Sequence, residues 1–566
     1  MNRFTDAIAR ALADKTDLSH DEAAALIELP RQESFGDYAF PCFQLAKSMR
    51  KAPPLIAQEL AASLELPAEL DRAEPVGPYI NFFVDRASLA QEVIGTIAAE
   101  GDRYGEAPSN GKTVVIDFSS PNVYKPMGVH HLRTTVIGNA LRRLHARRGW
   151  NAVGINYLGD WGTTFGQLMV AYMWHREEFA ERHLSTQDMV RLYVEFHDKA
   201  ESRPELNDEA RSWFRRLERG DEEAVGLWRH LKAEGLEDFK TIYDRLGIHF
   251  DVYSGESVYN DRMGATLERL RTKGLVTESE GALVVDLGEE MPPCLLQKSD
   301  GGTTYALRDL AAAEHRHETY NFDLSLYVVA QQQRLHFRQV FKVLELMGYD
   351  WAPRCAHVDF GMLSFAGEKF ATRKGNVIFL DEVLDRAVEI ARGIVEEKNP
   401  DLEDKESIAE MVGAGAIVFD DFRQRRGKDI VFDWNEALNF DGETGPYLQY
   451  TYVRLGGILR KAEREATGEL PEPDPSILTS DEEARVLRML GDYAHQLQRA
   501  VDDCEPSVLA RYLLDVAGAF NLFYQKHRVV SDEPDTMSAR LALVRAVRQV
   551  IRSGLETLGV RCPERM

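Results

Sequence analysis

The chain has 566 residues, of which 44% are hydrophobic and 28% are charged, and its formal net charge is −24. This length exceeds what one hydrophobic core supports, so roughly three to four domains are expected. The acidic excess argues against general nucleic-acid binding, because phosphate contacts need basic surface. A specific RNA partner would require basic residues gathered on one face.

The sequence has no run of about 18 apolar residues, so no membrane-spanning helix is predicted. Its N-terminus has the pattern of an amphipathic acidic helix rather than of a secretion signal. The five cysteines are far apart and lack Cys-x-x-Cys spacing, which argues against a disulfide framework and a cysteine zinc site. We therefore expect a cytoplasmic protein with reduced thiols, no membrane partner and no metal site built from its side chains.

The first predicted domain covers residues 1–105. Two helical patterns open it, and the strand-like stretch GPYINFF lies near its end. The following loop, residues 101–112, contains three glycines and a proline and is typical of a linker.

A strand, a turn and a helix are predicted in succession across residues 113–144. The apolar run 114–118 has the length and β-branched content of a buried strand, and apolar residues then recur at helical spacing. The backbone N–H groups at such a strand-to-helix junction favour an anionic ligand. Lys125, His130 and His131 lie at this junction. The same pattern also fits a surface turn with incidental polar residues.

Strands and helices alternate in the next part of the chain, which indicates βαβ units and a parallel sheet. The strand candidates are 113–118, 152–158, 325–330 and 355–361. The charged stretch 167–295 reads as a mostly helical insertion between two halves of this fold. After residue 376 the pattern is helical almost throughout.

Two later segments carry candidate ligand-binding groups. Tyr305 and Asp309 are four residues apart, so on a helix they share a face and could bind one ligand such as a guanidinium. The glycine-containing loop around Lys369, Arg373 and Lys374 suits closure over a polyanion. From the pattern alone, a solvated aspartate and a solvated basic surface are the simpler explanations of these residues.

The segment 113–144 resembles the first signature of class I aminoacyl-tRNA synthetases, and its flanks are similar to arginyl-tRNA synthetases. That family typically has Ser-Pro-Asn, two residues, Lys-Pro, one residue and His-Val-Gly-His-Leu-Arg. Two positions depart from the pattern, because Gly128 replaces the first histidine and His130 replaces the glycine. The matching residues are Ser120, Pro121, Asn122, Lys125, Pro126, Val129, His131, Leu132 and Arg133.

The resemblance extends along nearly the whole chain in family order. Residues 372–376, Thr-Arg-Lys-Gly-Asn, match the family's degenerate second signature, with Ala371 in place of serine. Residues 412–462 are similar to the connection into the anticodon-binding domain, and the C-terminal segment is similar to that helical domain. GPYINFF matches the segment with which the family reads the tRNA elbow.

The resemblance implies a role for each matched position. The catalytic residues would be Lys125, His130, His131, Lys369, Arg373 and Lys374. The arginine-binding residues would be Asp117, Ser119, Asn122, Tyr305, Asp309 and Gln333. ATP would contact Gly128, His131 and Gly375, and tRNA would contact Tyr79, Asn81, Tyr447 and Tyr450. We expect Gly128 to allow close approach of adenine while His130 replaces the first histidine; alternatively, His130 faces solvent and only His131 acts.

The implied fold is α/β, with a class I Rossmann-like parallel-sheet catalytic domain that carries a helical insertion. An N-terminal α+β domain and an all-α C-terminal anticodon-binding domain would flank it. The expected boundaries are 1–105 for the tRNA-elbow domain, 106–376 for the catalytic domain, 377–440 for a helical connection and 441–566 for the anticodon-binding domain.

The implied activity is that of a ligase that activates L-arginine with ATP and transfers it to the 3′ end of tRNA(Arg). Mg²⁺ would accompany ATP, and a monomer is expected. The two departures in the first signature motivate an alternative, a synthetase-like tRNA-binding paralogue with weakened catalysis.

Overall fold

The structure is a computed structural model that describes residues 3–28, 30, 35–289, 291–365, 378–465 and 470–566. Its strands, numbered in chain order, are β1 Tyr38–Pro41, β2 Leu70–Val76, β3 Tyr79–Val84, β4 Thr113–Asp117, β5 Asn151–Leu158, β6 Val252–Gly255, β7 Val276–Ser279, β8 Ala282–Val285, β9 Cys294–Gln297, β10 Leu324–Ala330, β11 Cys355–Phe360, β12 Leu363–Phe365 and β13 Ile430–Phe432.

The helices account for most of the remaining regular structure. They are α1 Arg3–Ala13, α2 His20–Leu26, α3 Leu45–Met49, α4 Pro53–Ser63, α5 Arg86–Glu100, α6 Leu132–Arg147, α7 Thr163–Trp174, α8 Thr186–Ser202, α9 Glu205–Glu218, α10 Glu222–Leu246, α11 Glu256–Thr272, α12 Tyr305–Tyr320, α13 Arg334–Leu346, α14 Leu380–Lys398, α15 Lys405–Phe422, α16 Trp434–Ala437, α17 Gly445–Glu465, α18 Asp481–Gly491, α19 Tyr493–Asp502, α20 Ser507–Lys526 and α21 Pro534–Thr557. None of the helices in the described part of the chain is long and apolar enough to cross a membrane.

The chain forms two compact units. The first contains Met1–Tyr104, Arg454–His495 and Leu514–Ser553, and the second contains Gly105–Val453, Gln496–Leu513 and Gly554–Met566. In the first unit, β1, β3 and β2 form an antiparallel sheet in that order. Apolar side chains such as Ile80 and Phe82 are fully buried on the central strand. The sheet and its helices form the predicted N-terminal α+β domain.

The second unit is built around a five-stranded parallel sheet in the order β11-β10-β4-β5-β6. The four strands that the sequence predicts all lie in it. The edge strand β6 was not predicted. Its four residues, VYSG, carry too short an apolar run to be recognised within the charged helical stretch around them.

The order in which strands are added to the sheet reverses at β4. The strands that follow it, β5 and β6, extend the sheet on one side, whereas β10 and β11 extend it on the other. In open parallel sheets, ligands bind in the crevice at the carboxyl ends of the strands where the order reverses. A ligand site is therefore expected among the residues that follow β4 and β10.

The predicted insertion contains both helices and strands. Helices α7–α10 connect β5 to β6, and a three-stranded antiparallel sheet in the order β7-β8-β9 lies between α11 and α12. From residue 380 onward the described chain is helical apart from β13, which pairs in parallel with β12.

Candidate active site

The turn after β4 is held in a strained backbone conformation. Ser119 and Ser120 have φ angles of 77° and 52°, which non-glycine residues seldom adopt. The Ser119 N–H donates to Thr134 Oγ1 over 3.0 Å, and the Ser119 hydroxyl lies 2.8 Å from the hydroxyls of both Thr135 and Tyr243. Residues of α6 and α10 thus fix the turn at the carboxyl end of β4.

Asp117, the last residue of β4, forms a buried ion pair. Its Oδ2 accepts a hydrogen bond from Arg316 Nη2 over 2.6 Å, and both side chains are almost fully buried. Burial raises the pKa of Asp117, an effect that the charge of Arg316 opposes. The structure therefore places this predicted arginine-binding residue against a cation of the protein itself.

Asn122 lies at the exposed end of the same turn and pairs in parallel with Gly159, which follows β5. A Cβ atom at position 159 would lie 2.1 Å from Asn122 Oδ1. A side chain at position 159 would therefore displace the Asn122 side chain. The signature turn rests directly on the neighbouring strand end.

The two histidines stand side by side at the start of α6. Their ring centroids are 4.0 Å apart, and His131 Nδ1 lies 3.2 Å from the Gly128 carbonyl oxygen. Burial lowers the pKa of His131 to about 3, with a further contribution from His130, so that its imidazole is neutral at pH 7. His130 is exposed over part of its surface, yet the protein around it also lowers its pKa.

Lys125 is exposed in the turn between β4 and α6. Its ammonium lies 5.3 Å from the ring centroid of Tyr124 and 5.9 Å from that of Tyr193. Within the described ranges it forms no ion pair with a carboxylate, so its charge is available to an anion. Gly128 has an ordinary extended conformation, with φ −80° and ψ 159°.

The first signature is joined to the chain that follows the second one. The N–H of Val129 donates to the Ile378 carbonyl over 2.9 Å, and the N–H of Leu380 donates to the Met127 carbonyl over 2.8 Å. This antiparallel pairing places residues 378–380 against the backbone of residues 127–129, just before the histidines. The predicted loop residues lie outside the described residues; they are Lys369, Arg373, Lys374 and Gly375.

Arg133, the last matched residue of the signature, is part of the core. Its side chain is only 1% exposed and pairs with Asp421 on α15 over 2.8 Å. It also donates to the carbonyl oxygens of Arg426 and Lys428. This arginine anchors α6 to the chain around α15 rather than facing a ligand.

The candidate guanidinium pocket lies where α12 and α13 begin. Tyr305 is 71% exposed in the first turn of α12, and Asp309 follows one turn later. Asp309 Oδ2 accepts a 2.6 Å hydrogen bond from Nε2 of His336, a residue that the sequence analysis did not select. Gln333 is exposed at the end of the short 3₁₀ turn that connects β10 to α13. Gln333 follows the carboxyl end of β10, which lies next to β4 at the point where the strand order reverses.

Charge pairing around this pocket leaves one carboxylate without an arginine partner. Asp117 pairs with Arg316, and Glu256 pairs with Arg308 over 3.0 Å. Burial is the main cause that raises the pKa of both Asp117 and Glu256. The nearby charge of Asp309 raises both pKa values further. Asp117 and Glu256 each pair with an arginine, whereas Asp309 contacts His336 and pairs with no arginine among the described residues, so its carboxylate is suited to a ligand with a positive charge.

The predicted tRNA-binding residues occupy two places. In the first unit, the ring of Tyr79 contacts the exposed Phe43 edge to face at 5.8 Å, whereas Asn81 is 97% buried in β3 between its neighbouring strands. In the second unit, Tyr450 on α17 is 40% exposed, and Lys398 Nζ lies 5.6 Å from its ring centroid. Tyr447 is three residues earlier on α17.

A metal centre is not evident in the described part of the chain, where no three His, Cys, Asp or Glu side chains are grouped to hold an ion.

Family models match three successive parts of the chain. Residues 2–84 match the arginyl tRNA synthetase N terminal domain, residues 93–434 match the class I (R) tRNA synthetase catalytic domain, and residues 448–566 match the DALR anticodon binding domain. The parallel sheet, the site at its switch point and these matches define a class I aminoacyl-tRNA synthetase.

Known proteins narrow this class. Arginine–tRNA ligases from Clostridium perfringens and Clostridioides difficile are 48% and 46% identical to the chain, and each alignment covers at least 99% of both proteins. The solved arginyl-tRNA synthetase of Thermus thermophilus matches with a TM-score of 0.82 and 29% identity, covering 100% of this chain and 99% of its own. The Plasmodium falciparum enzyme, at 23% identity and a TM-score of 0.78, covers 95% of this chain and 94% of its own and supports the fold.

The chain belongs to the arginyl-tRNA synthetase family. The predicted family, fold class and ligase function are confirmed. The alternative of a tRNA-binding paralogue with weakened catalysis receives no support from these similarities. The predicted domain boundaries and the individual site residues stay predictions.

Proposed function

We propose that this chain joins L-arginine to tRNA(Arg) in two steps. The arginine carboxylate attacks the α-phosphate of ATP, which forms arginyl-adenylate and releases pyrophosphate. A hydroxyl of the terminal tRNA ribose then attacks the arginyl carbonyl, and AMP leaves. Both steps ask the protein mainly to position the reactants and to stabilise developing negative charge.

The observation that carries this proposal is the Asp309 carboxylate, which contacts His336 but pairs with no arginine among the described residues. Asp309 would pair with the substrate guanidinium, which a carboxylate can bind through two parallel hydrogen bonds. The exposed hydroxyl of Tyr305 lies one helical turn away, and Gln333 projects from the adjacent strand end. Asn122, after β4, would hold the amino-acid end nearer the phosphates.

The phosphate end of the site would lie at the start of α6. Lys125 supplies a charge that no described carboxylate neutralises. If the His131 Nδ1–H donates to the Gly128 carbonyl, Nε2 carries the lone pair of the neutral ring. A polyanion beside Nε2 favours its protonation and turns it into a donor. His131 would thus offer its charge only when the negative ligand is bound.

The proposal includes three further points. Mg²⁺ would accompany ATP and be held largely by phosphate oxygens, which is compatible with a protein that contributes few ligands. The enzyme would act as a monomer. It would work in the cytoplasm, in keeping with five cysteines that are all free thiols.

Arginine-dependent pyrophosphate exchange on the purified chain, with and without tRNA, tests the proposal. We expect exchange with arginine, and a kcat/KM at least about 30-fold lower with lysine or citrulline, since neither can replace a guanidinium opposite Asp309. Comparable use of lysine would show that the pocket is misassigned. Binding of tRNA without any exchange would favour the non-catalytic alternative.

A further inference from the structure

The predicted pocket residue Asp309 has a partner that its sequence neighbourhood does not reveal. His336 lies in the first turn of α13, three residues after Gln333, and reaches across to α12. The His336 and Asp309 side chains are 23% and 20% exposed. The bond between them therefore lies at the wall of the crevice and is partly shielded from water.

The 2.6 Å separation between His336 Nε2 and Asp309 Oδ2 is short, as expected when a hydrogen-bond acceptor is ionised. An aspartate carboxylate can rotate about its side-chain bonds, so without a partner its oxygens can point in many directions. The contact with His336 restricts that rotation, and it leaves Oδ1 and a second lone pair of Oδ2 for another donor. The imidazole thus selects the carboxylate orientation before any ligand arrives.

The imidazole is itself held in place by the core of α13. Its ring meets that of Phe337 at 5.2 Å in an edge-to-face arrangement, and Phe337 is buried and stacks on His357. The position of His336 is therefore set by Phe337 of the same helix, which packs on His357 of β11, and not by the ligand. Ordering Asp309 in this way reduces the entropy lost when a guanidinium binds.

We propose that His336 is a positioning residue for arginine specificity, which fixes the Asp309 carboxylate in the orientation that pairs with the substrate guanidinium. It does not touch the reacting atoms. This inference rests on the proposed function, because it concerns the same pocket. Its consequence is that His336 should influence arginine affinity through Asp309 alone and should leave ATP affinity unaffected.

The first test compares His336→Ala with His336→Gln in pyrophosphate exchange. Loss of a hydrogen bond to a charged group predicts a rise of about 10- to 100-fold in the KM for arginine, with kcat and the KM for ATP changed less than about 3-fold. Gln can place an amide N–H near the position of Nε2 and should restore most of the affinity. His315→Ala, on α12, is the matched control, because His315 contacts Thr319 and Tyr259 instead.

A double-mutant cycle with Asp309→Asn isolates the pathway. If His336 acts through Asp309, adding His336→Ala to Asp309→Asn should change the KM for arginine by less than about 2-fold. An additional rise of 10-fold or more in that background would overturn the inference, as would a wild-type KM for arginine in His336→Ala. A wild-type chain that exchanges no pyrophosphate with arginine would instead contradict the proposed function.

Discussion

His131 is a histidine that burial keeps uncharged. Its pKa of about 3 lies well below the usual value near 6.5, because the ring is withdrawn from water and lies beside a second imidazole. When the pKa of a histidine is lower in the folded protein than in the unfolded chain, the unfolded chain binds a proton at a pH where the folded protein does not. Lowering the pH then favours unfolding. The contribution of such a histidine to stability is complete above the unfolded pKa and is lost as the pH falls toward 3.

We predict that His131→Asn reduces the acid sensitivity of the protein. Between about pH 6.5 and pH 3 the unfolded wild-type chain binds up to about one proton at this position that the folded chain does not. The variant lacks this difference, so the free energy of unfolding should fall less steeply over that range. Urea unfolding at pH 7 and pH 5 measures the slope; equal slopes for both proteins would contradict the assigned burial of His131.

His130 replaces a glycine of the usual signature and lies beside His131. If it takes the role of the missing first histidine, His130→Ala should lower kcat by about 10- to 100-fold with little change in the KM for arginine. Single-turnover adenylate formation is the measurement, and His315→Ala again serves as control. Unchanged or faster turnover would mean that His130 faces solvent without a role and that His131 and Lys125 suffice.

The residues of the site differ in how far sequence could identify them. Asp309 and Tyr305 share a helix face, so their four-residue spacing predicts that they lie together, but only the family resemblance suggested a role for them. His336 is 27 residues from Asp309, and only the packing of α13 against α12 brings them together. Arg133 stands within the signature but is directed into the core, because side-chain direction depends on the helix and its neighbours rather than on the motif.

At the level of elements, the sequence pattern predicted the long apolar strands and missed the short one. The strands β4, β5, β10 and β11 are five to eight residues long, and each contains β-branched residues. In contrast, β6 has four residues and is recognisable only by its pairing with β5. Local periodicity cannot reveal an edge strand whose stability comes from a partner distant in sequence.

The link between α6 and α15 predicts a large effect of one substitution. Arg133→Met breaks a buried ion pair and leaves Asp421 with an uncompensated charge, so unfolding should become easier by about 3–5 kcal/mol. Adding Asp421→Leu removes that charge and should recover at least half of the loss. Denaturant unfolding provides the comparison.

Arg142→Met is the control for this experiment, because Arg142 lies on the same helix and pairs with Asp251 near the surface. Such a pair contributes about 1 kcal/mol or less. If the Arg133 and Arg142 variants lost similar stability, the proposed anchoring of α6 by the core pair would be wrong.

At the scale of the whole molecule, the division into compact units does not follow the order of the chain. Residues 554–566 end the sequence, yet they pack in the unit that contains the parallel sheet. The Arg561 carbonyl accepts from Gln449 over 2.7 Å, and Arg561 Nη2 donates to the Arg245 carbonyl over 3.0 Å. Contacts between residues 112 and 316 positions apart leave no periodic signal, so sequence patterns could not assign this tail to the sheet-containing unit.

Deletion of residues 560–566 should therefore destabilise the catalytic unit as well as the end of the chain. The deletion removes the buried Val560, the two contacts of Arg561 and the hydrogen bond from Tyr452 to Glu564. A combined loss of about 2–4 kcal/mol predicts a fall in Tm of roughly 3–5 °C for a unit of this size. Arg565→Ala, which changes only an exposed side chain, should leave Tm within about 1 °C. Thermal unfolding and pyrophosphate exchange are measured over the same range of temperatures. We expect the deletion variant to lose exchange at its lowered Tm. Exchange that survives up to the wild-type Tm would show that the tail does not stabilise the catalytic sheet.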